Sequence, residues 1–114
     1  MSRLETIDGG NWKEFTEAPV AVLMLGKTDC DNCVAWTREL TGFLENDEEF
    51  RGVRFGKMLL DQRGLIEFKK ANSWLAEVEV LPFNVIYAAG ERVKSFAGSG
   101  VERLANRLRR ISPP

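Results

Sequence analysis

The sequence predicts an α/β fold, a mixed central sheet flanked by helices on both faces. Three observations predict it. Short apolar runs that read as strands alternate with stretches of helical period through the first two thirds of the chain, and such alternation implies parallel crossovers. Two late runs, Phe83 to Tyr87 and "RVKSFA", sit either side of the tight turn "AAGE" as an antiparallel hairpin would. The chain then returns to helical spacing. The expected order is helix, strand, helix, strand, helix, strand, strand, helix, with a short edge strand in "ETI" ahead of them all.

Each element has its own signal. Asn11 followed by Glu14 matches a capping box, and Trp12 and Phe15 face inward from a short helix that stops before Pro19. The unbroken apolar run Val20 to Leu25 is a strand buried on both faces. A helix begins near Asp29 or Cys30, with Asp29 a candidate N-cap. Its inward stripe is Cys33, Trp36, Leu40 and Phe43 or Leu44. The acidic "ENDEEF" reads as an exposed connection to a second strand, Val53 to Leu60. "DQRGLIEFKKANSW" carries a short helix with Leu65, Ile66 and Phe68 apolar, and "LAEVEVLP" reads as extended up to Leu81-Pro82. Ser99 and Glu102 form a second capping box; Val101, Leu104, Leu108 and Ile111 then trace a helical stripe until "SPP" ends it.

At 114 residues the chain fits one domain, with 44% hydrophobic and 29% charged residues, a globular balance. Sixteen basic against seventeen acidic residues leave a formal charge of −1, so nothing global points to nucleic acid or an anionic membrane. The longest clean apolar run falls far short of the roughly 20 residues a membrane span needs. The polar beginning "MSRLETIDGGNW" does not read as a signal peptide, and the expected compartment is the cytosol. A monomer is expected.

Against this background stands "TDCDNC". Two cysteines dropped at random into this length fall three apart only about 2% of the time. In a reducing compartment a close pair is more often catalytic or metal-binding than a structural bridge. The chain has no histidine, so two cysteines alone leave a zinc site half built. Three readings remain open from the residues: a working dithiol, half of a metal site shared between two chains, or two core cysteines. Position favours the first. A thiolate at a helix N-terminus meets unpaired N–H groups and the positive end of the helix dipole, which lower its pKa from about 8.5.

At these residues the chain resembles the thioredoxin family, and the likeness covers most of its length. It includes the strand leading to "CDNC", the helix behind it, "KMLLDQ", "VLPFNVIY", the "GERV" turn, "FAG" and the final helix. The resemblance implies a thioredoxin fold and thiol–disulfide exchange, with Cys30 as nucleophile and Cys33 as resolving thiol. It implies a cis-proline at Pro82 facing the dithiol, with Leu81 and Gly98 lining the same substrate groove. Lys57 falls where many thioredoxins keep a lysine under the active site. No bound cofactor is implied. The partners implied are a protein disulfide as substrate and a reductase or small thiol as electron donor.

The departures are as definite. Asp29, Asp31 and Asn32 replace the Trp and Gly-Pro of the usual motif. The family's buried aspartate falls on Met24, which accepts no proton. Negative charge from Asp29 and Asp31 opposes the helix terminus at Cys30, which points to a reducing or near-neutral rather than strongly oxidising poise. Two alternatives to a protein-disulfide reductase share the fold: a glutaredoxin-like enzyme recycled by glutathione, and a non-catalytic module that binds through the groove near Pro82. Trp36 and Trp74 read as core, and the basic "RLRRI" as a complement to a helix C-terminus.

Overall fold

The computed structural model describes residues 2–111. The strands are β1 (Leu4–Thr6), β2 (Val20–Gly26), β3 (Arg54–Leu59), β4 (Phe83–Ala88) and β5 (Glu91–Ala97). The helices are α1 (Trp12–Thr16), α2 (Asp31–Asn46), α3 (Ile66–Ala71) and α4 (Val101–Ile111). One five-stranded sheet runs in the order β1-β3-β2-β4-β5. β3 is parallel to both β1 and β2, whereas β4 is antiparallel to both β2 and β5. The sheet is therefore mixed, as the sequence reading has it.

β2 is central because its side chains are apolar on both faces. Val22 and Met24 join Trp36, Leu40 and Leu44 of α2 and Leu104, Ala105 and Leu108 of α4 in one core. Ala21, Leu23 and Leu25 point the other way, into a second core with Trp12 and Phe15 of α1 and Phe68 of α3. Burying each large apolar side chain contributes roughly 1.5–3 kcal/mol. At Gly56 of β3 a side chain would stand 2.5 Å from Ile7 and 2.8 Å from Phe15, so only glycine lets α1 close on the sheet there.

Several local expectations are corrected. Asn11 does not cap α1 with its side chain. Its Oδ1 instead accepts from the Asp8 N–H at 2.7 Å, its Nδ2 donates to the Thr6 carbonyl at 3.0 Å, and Glu14 turns away to Arg54. The edge strand is Leu4–Thr6, one residue earlier than "ETI". "LAEVEVLP" is not wholly extended: Ser73–Glu77 forms a 3-10 turn, because Asn72 binds the Phe68 carbonyl at 2.7 Å and the Trp74 indole at 3.1 Å. The first bond of α4 runs from the Leu104 N–H to the Gly100 carbonyl at 3.1 Å. The cap position thus falls on Gly100, one residue beyond Ser99. "SPP" lies outside the described residues.

"ENDEEF" also does more than connect. The Asp47 carboxylate is nearly buried at 3% exposure, accepts from Arg3 at 2.9 Å and takes the Phe50 N–H at 3.0 Å. Arg3 also donates to the Phe50 carbonyl at 2.8 Å, clasping β1 to the end of α2. At the C-terminal helix, Arg109 pairs with Glu49 at 2.7 Å, and Arg103 and Arg107 both lie over the Phe96 ring.

Candidate active site

Cys30 and Cys33 are placed by the junction of β2 and α2. The Leu60 N–H donates to the Gly26 carbonyl at 2.8 Å and holds the end of β2. The loop that follows is pinned by Asp61, whose carboxylate accepts the Thr28 N–H at 3.2 Å and the Thr28 hydroxyl at 3.3 Å. Cys30, not Asp29, is the N-cap of α2. Its backbone is extended (φ −148°, ψ 104°), and its Sγ accepts the Cys33 N–H at 3.2 Å. A sulfur in that position meets the otherwise unpaired donors of a helix sixteen residues long.

The two cysteines form a disulfide, with Cα atoms 5.2 Å apart. Their exposures differ. Cys33 is 1% exposed, beneath the first turn of α2, while Cys30 is half-buried at its mouth. Of the two residues, Cys30 is the one accessible from outside, and Cys33 lies behind it.

Gly26 explains how the inner sulfur fits. A Cβ there would lie 3.1 Å from the Sγ of Cys33 and 3.6 Å from the Sδ of Met24. The missing side chain is the space that Cys33 occupies, and Met24, fully buried, flanks that space with a thioether. Phe83 stands opposite Leu25 in the β2–β4 pairing, so the chain entering β4 brings Pro82 level with Gly26. The Leu81-Pro82 peptide is cis. The Gly98 N–H donates to the Pro82 carbonyl at 2.7 Å, and Gly98 has φ +90°, a conformation natural to glycine. Leu81, Pro82, Gly98 and the cysteine pair thus gather at one end of the sheet.

Asp29 and Asp31 are exposed, before and inside the first turn of α2. Lys57 lies in β3 in register with Met24 and Thr6. It is half-exposed and lines a small cleft of about 210 Å³ with Thr6, Ile7, Leu59 and Gln62. Among the described residues its amine makes no ion pair. No group of three or more His, Cys, Asp or Glu side chains converges as a metal site among the described residues.

Two residues at the site were not singled out from the sequence. Asp61 holds the cysteine loop, yet nothing in "LLDQRG" distinguishes it from any surface aspartate. Asn84 did carry a signal, being an amide inside the apolar strand "FNVIY". It is fully buried. Its Oδ1 accepts from the Trp36 Nε1–H at 2.8 Å, and its Nδ2 donates to the carbonyls of Phe96 at 3.3 Å and Gly98 at 2.8 Å. Trp74 is half-buried rather than core, packing on Phe83 under the Arg92 guanidinium.

The strongest charge perturbations lie away from this end. Arg54 is held well above its ordinary range by hydrogen bonds to Glu5 and Glu14, and Glu14 is lowered in turn by its hydrogen bond to Arg54. Burial pushes the Tyr87 phenol up to about 12.

A mixed five-stranded sheet with a disulfide at the N-terminus of the helix after its central strand defines a narrow class of α/β protein. Compared with solved structures, the chain has the thioredoxin fold. Thioredoxin f2 of Chlamydomonas reinhardtii superposes with a TM-score of 0.76 at 21% identity, over 97% of this chain and 98% of that one. Thioredoxin f of spinach chloroplast, short form, gives 0.74 at 17% identity over 94% and 91%. Thioredoxin O2 of Arabidopsis thaliana, in its oxidised state, gives 0.72 at 14% identity over 98% and 96%. No protein-family model matches the chain, and no curated protein matches it by sequence.

Proposed function

We propose that this protein is a thiol–disulfide oxidoreductase that reduces protein disulfides through Cys30 and Cys33. One observation carries the reading: Cys30, a half-buried residue, caps α2 through its Sγ, with Cys33 buried one turn behind it. In the reduced form the Cys30 thiolate attacks one sulfur of the substrate disulfide. The substrate S–S bond breaks, a Cys30–substrate bond forms, and the other substrate sulfur leaves as a thiolate that takes up a proton. Cys33, as thiolate, then attacks the Cys30 sulfur. The mixed disulfide breaks, the second substrate thiol is released, and the protein is left with the Cys30–Cys33 bond. Two electrons and two protons have passed to the substrate.

Leu81, Pro82 and Gly98 form the groove that receives the substrate backbone in this reading. Electrons return from a separate reductase or a small thiol. A similar fold, thioredoxin f2, has been solved in complex with ferredoxin:thioredoxin reductase, at 16% identity and a TM-score of 0.73 over 95% of this chain and 94% of that one. The proposed setting is a reducing compartment such as the cytosol. Among the described residues, no helix is long and apolar enough to cross a membrane.

A second reading, a binding module that uses the groove without turnover, is favoured by one observation. The buried side chain flanking the Cys33 sulfur is the thioether of Met24, which takes no proton from the resolving thiol. Reduction of insulin driven by dithiothreitol separates the two. Acceleration by the wild type that is lost in Cys30→Ser supports the enzyme; a wild type no faster than Cys30→Ser leaves the binding module.

A further inference from the structure

We infer that Asn84 is a positioning residue that locks the cysteine-bearing helix α2 to the groove wall at Pro82 and Gly98. The inference rests on the proposed disulfide reduction. A single chain of hydrogen bonds crosses the core: Trp36 Nε1–H to Asn84 Oδ1 at 2.8 Å, Asn84 Nδ2–H to the Gly98 carbonyl at 2.8 Å, and Gly98 N–H to the Pro82 carbonyl at 2.7 Å. Trp36 follows Cys33 by three residues, so the two share the buried face of α2. Both backbone groups of Gly98 are thereby tied, one to the helix side through Asn84 and one to Pro82.

Stability alone does not call for an amide at this position. Asn84 sits across from Met24 in the β2–β4 pairing and across from Phe96 in β4–β5, among apolar neighbours where a leucine would pack. A buried amide is tolerated only when its hydrogen bonds are made, and an apolar replacement of both partners can be nearly neutral. What the amide adds is direction. Apolar contact lets α2 slide against the loop at Gly98, whereas three directional bonds at Asn84 fix their separation. Attack along the S–S axis needs the substrate held at Pro82 while Cys30 stays in place, and misplacement near 1 Å is expensive in rate.

The test compares wild type with the double variant Trp36→Phe/Asn84→Leu, which removes both side chains of the buried pair and orphans no side-chain donor, while the Gly98 carbonyl loses its bond to Asn84. Insulin reduction gives kcat and KM, and thermal unfolding with near-ultraviolet circular dichroism confirms the fold. The expected result is a folded variant whose kcat for insulin reduction falls about tenfold with KM changed less than twofold. If the double variant does not fold, Trp36→Phe alone is predicted to move kcat in the same direction. A kcat within twofold of wild type in a folded variant, or a rise in KM with kcat unchanged, overturns the positioning role and leaves Asn84 a stabilising residue. A wild type that does not reduce insulin overturns the proposed function itself, and this inference with it.

Discussion

The Trp36 indole on α2 and the Asn84 amide on β4 meet at 2.8 Å, both side chains no more than 1% exposed. A helix and a strand are thus joined by a directional bond inside an otherwise apolar layer. Asn84→Ala leaves the Trp36 N–H orphaned and opens a cavity, so it should cost about 2–4 kcal/mol. In urea denaturation, a double-mutant cycle with Trp36→Phe should show coupling of about 1 kcal/mol or more. Additive losses would mean that the bond contributes nothing beyond packing.

Gly26 and Cys33 are the second pair whose spacing matters. At Gly26 an added methyl stands 3.1 Å from the Cys33 sulfur, so Gly26→Ala must shift Cys33 by a few tenths of an ångström. Disulfide geometry is demanding, and the expected outcome is a loss of about 1–2 kcal/mol in the oxidised form with slower resolution of the mixed disulfide. Stopped-flow kinetics on the reduced protein reads the second effect. Unchanged resolution would show that Cys33 has more room than the structure gives it.

Tyr87 offers a pH signature. Its hydroxyl is buried with no partner among the described residues, and burial pushes its pKa up to about 12 against an ordinary 10. Below pH 10 the phenol is neutral in both folded and unfolded chains and contributes no slope. Between about pH 10 and 12 the unfolded chain ionises first, so stability falls as pH rises, by of order 2 kcal/mol in total. Tyr87→Phe should stabilise by about 1 kcal/mol at neutral pH and flatten that alkaline loss. The same alkaline slope in both proteins would contradict this.

The turn from β4 to β5 holds Ala89 at φ +52° and Gly90 at φ +88°, positive at both central positions as a two-residue hairpin turn requires. Alanine is strained there. Ala89→Gly should raise stability by about 0.5–1 kcal/mol without touching activity, read as a higher melting temperature. A lower one would mean that the Ala89 methyl makes contacts that outweigh the strain.

What could be read from the sequence followed from patterns that local chemistry enforces. The period-two and helical stripes of Val20 to Leu25, Cys33 to Leu44 and Leu104 to Leu108 survive because each faces a core. "AAGE" is legible because few residues accept that turn. Both capping boxes failed, for the same reason. A box is a local option, and Asn11 found better partners in Thr6 and Asp8, while Gly100 took the cap from Ser99. Asp47 and Asp61 were invisible because their partners, Arg3 and Thr28, lie 44 and 33 residues away in the chain. The cysteine pair was legible as a candidate, and the inward stripe with Trp36 and Leu40 already put Cys33 on the buried face of α2. The space at Gly26 that receives its sulfur was not legible, because it depends on how α2 approaches β2.

The exchange proposed for this pair is ordered: Cys30 engages the substrate and Cys33 releases it. Reduced Cys33→Ser and Cys30→Ser variants, each mixed with a disulfide-bonded protein substrate and analysed intact by mass spectrometry, test it most directly. A stable covalent adduct through Cys30 is expected in Cys33→Ser, and little or none through the buried Cys33 in Cys30→Ser. Adducts of equal yield in the two variants, or none in either, would contradict it.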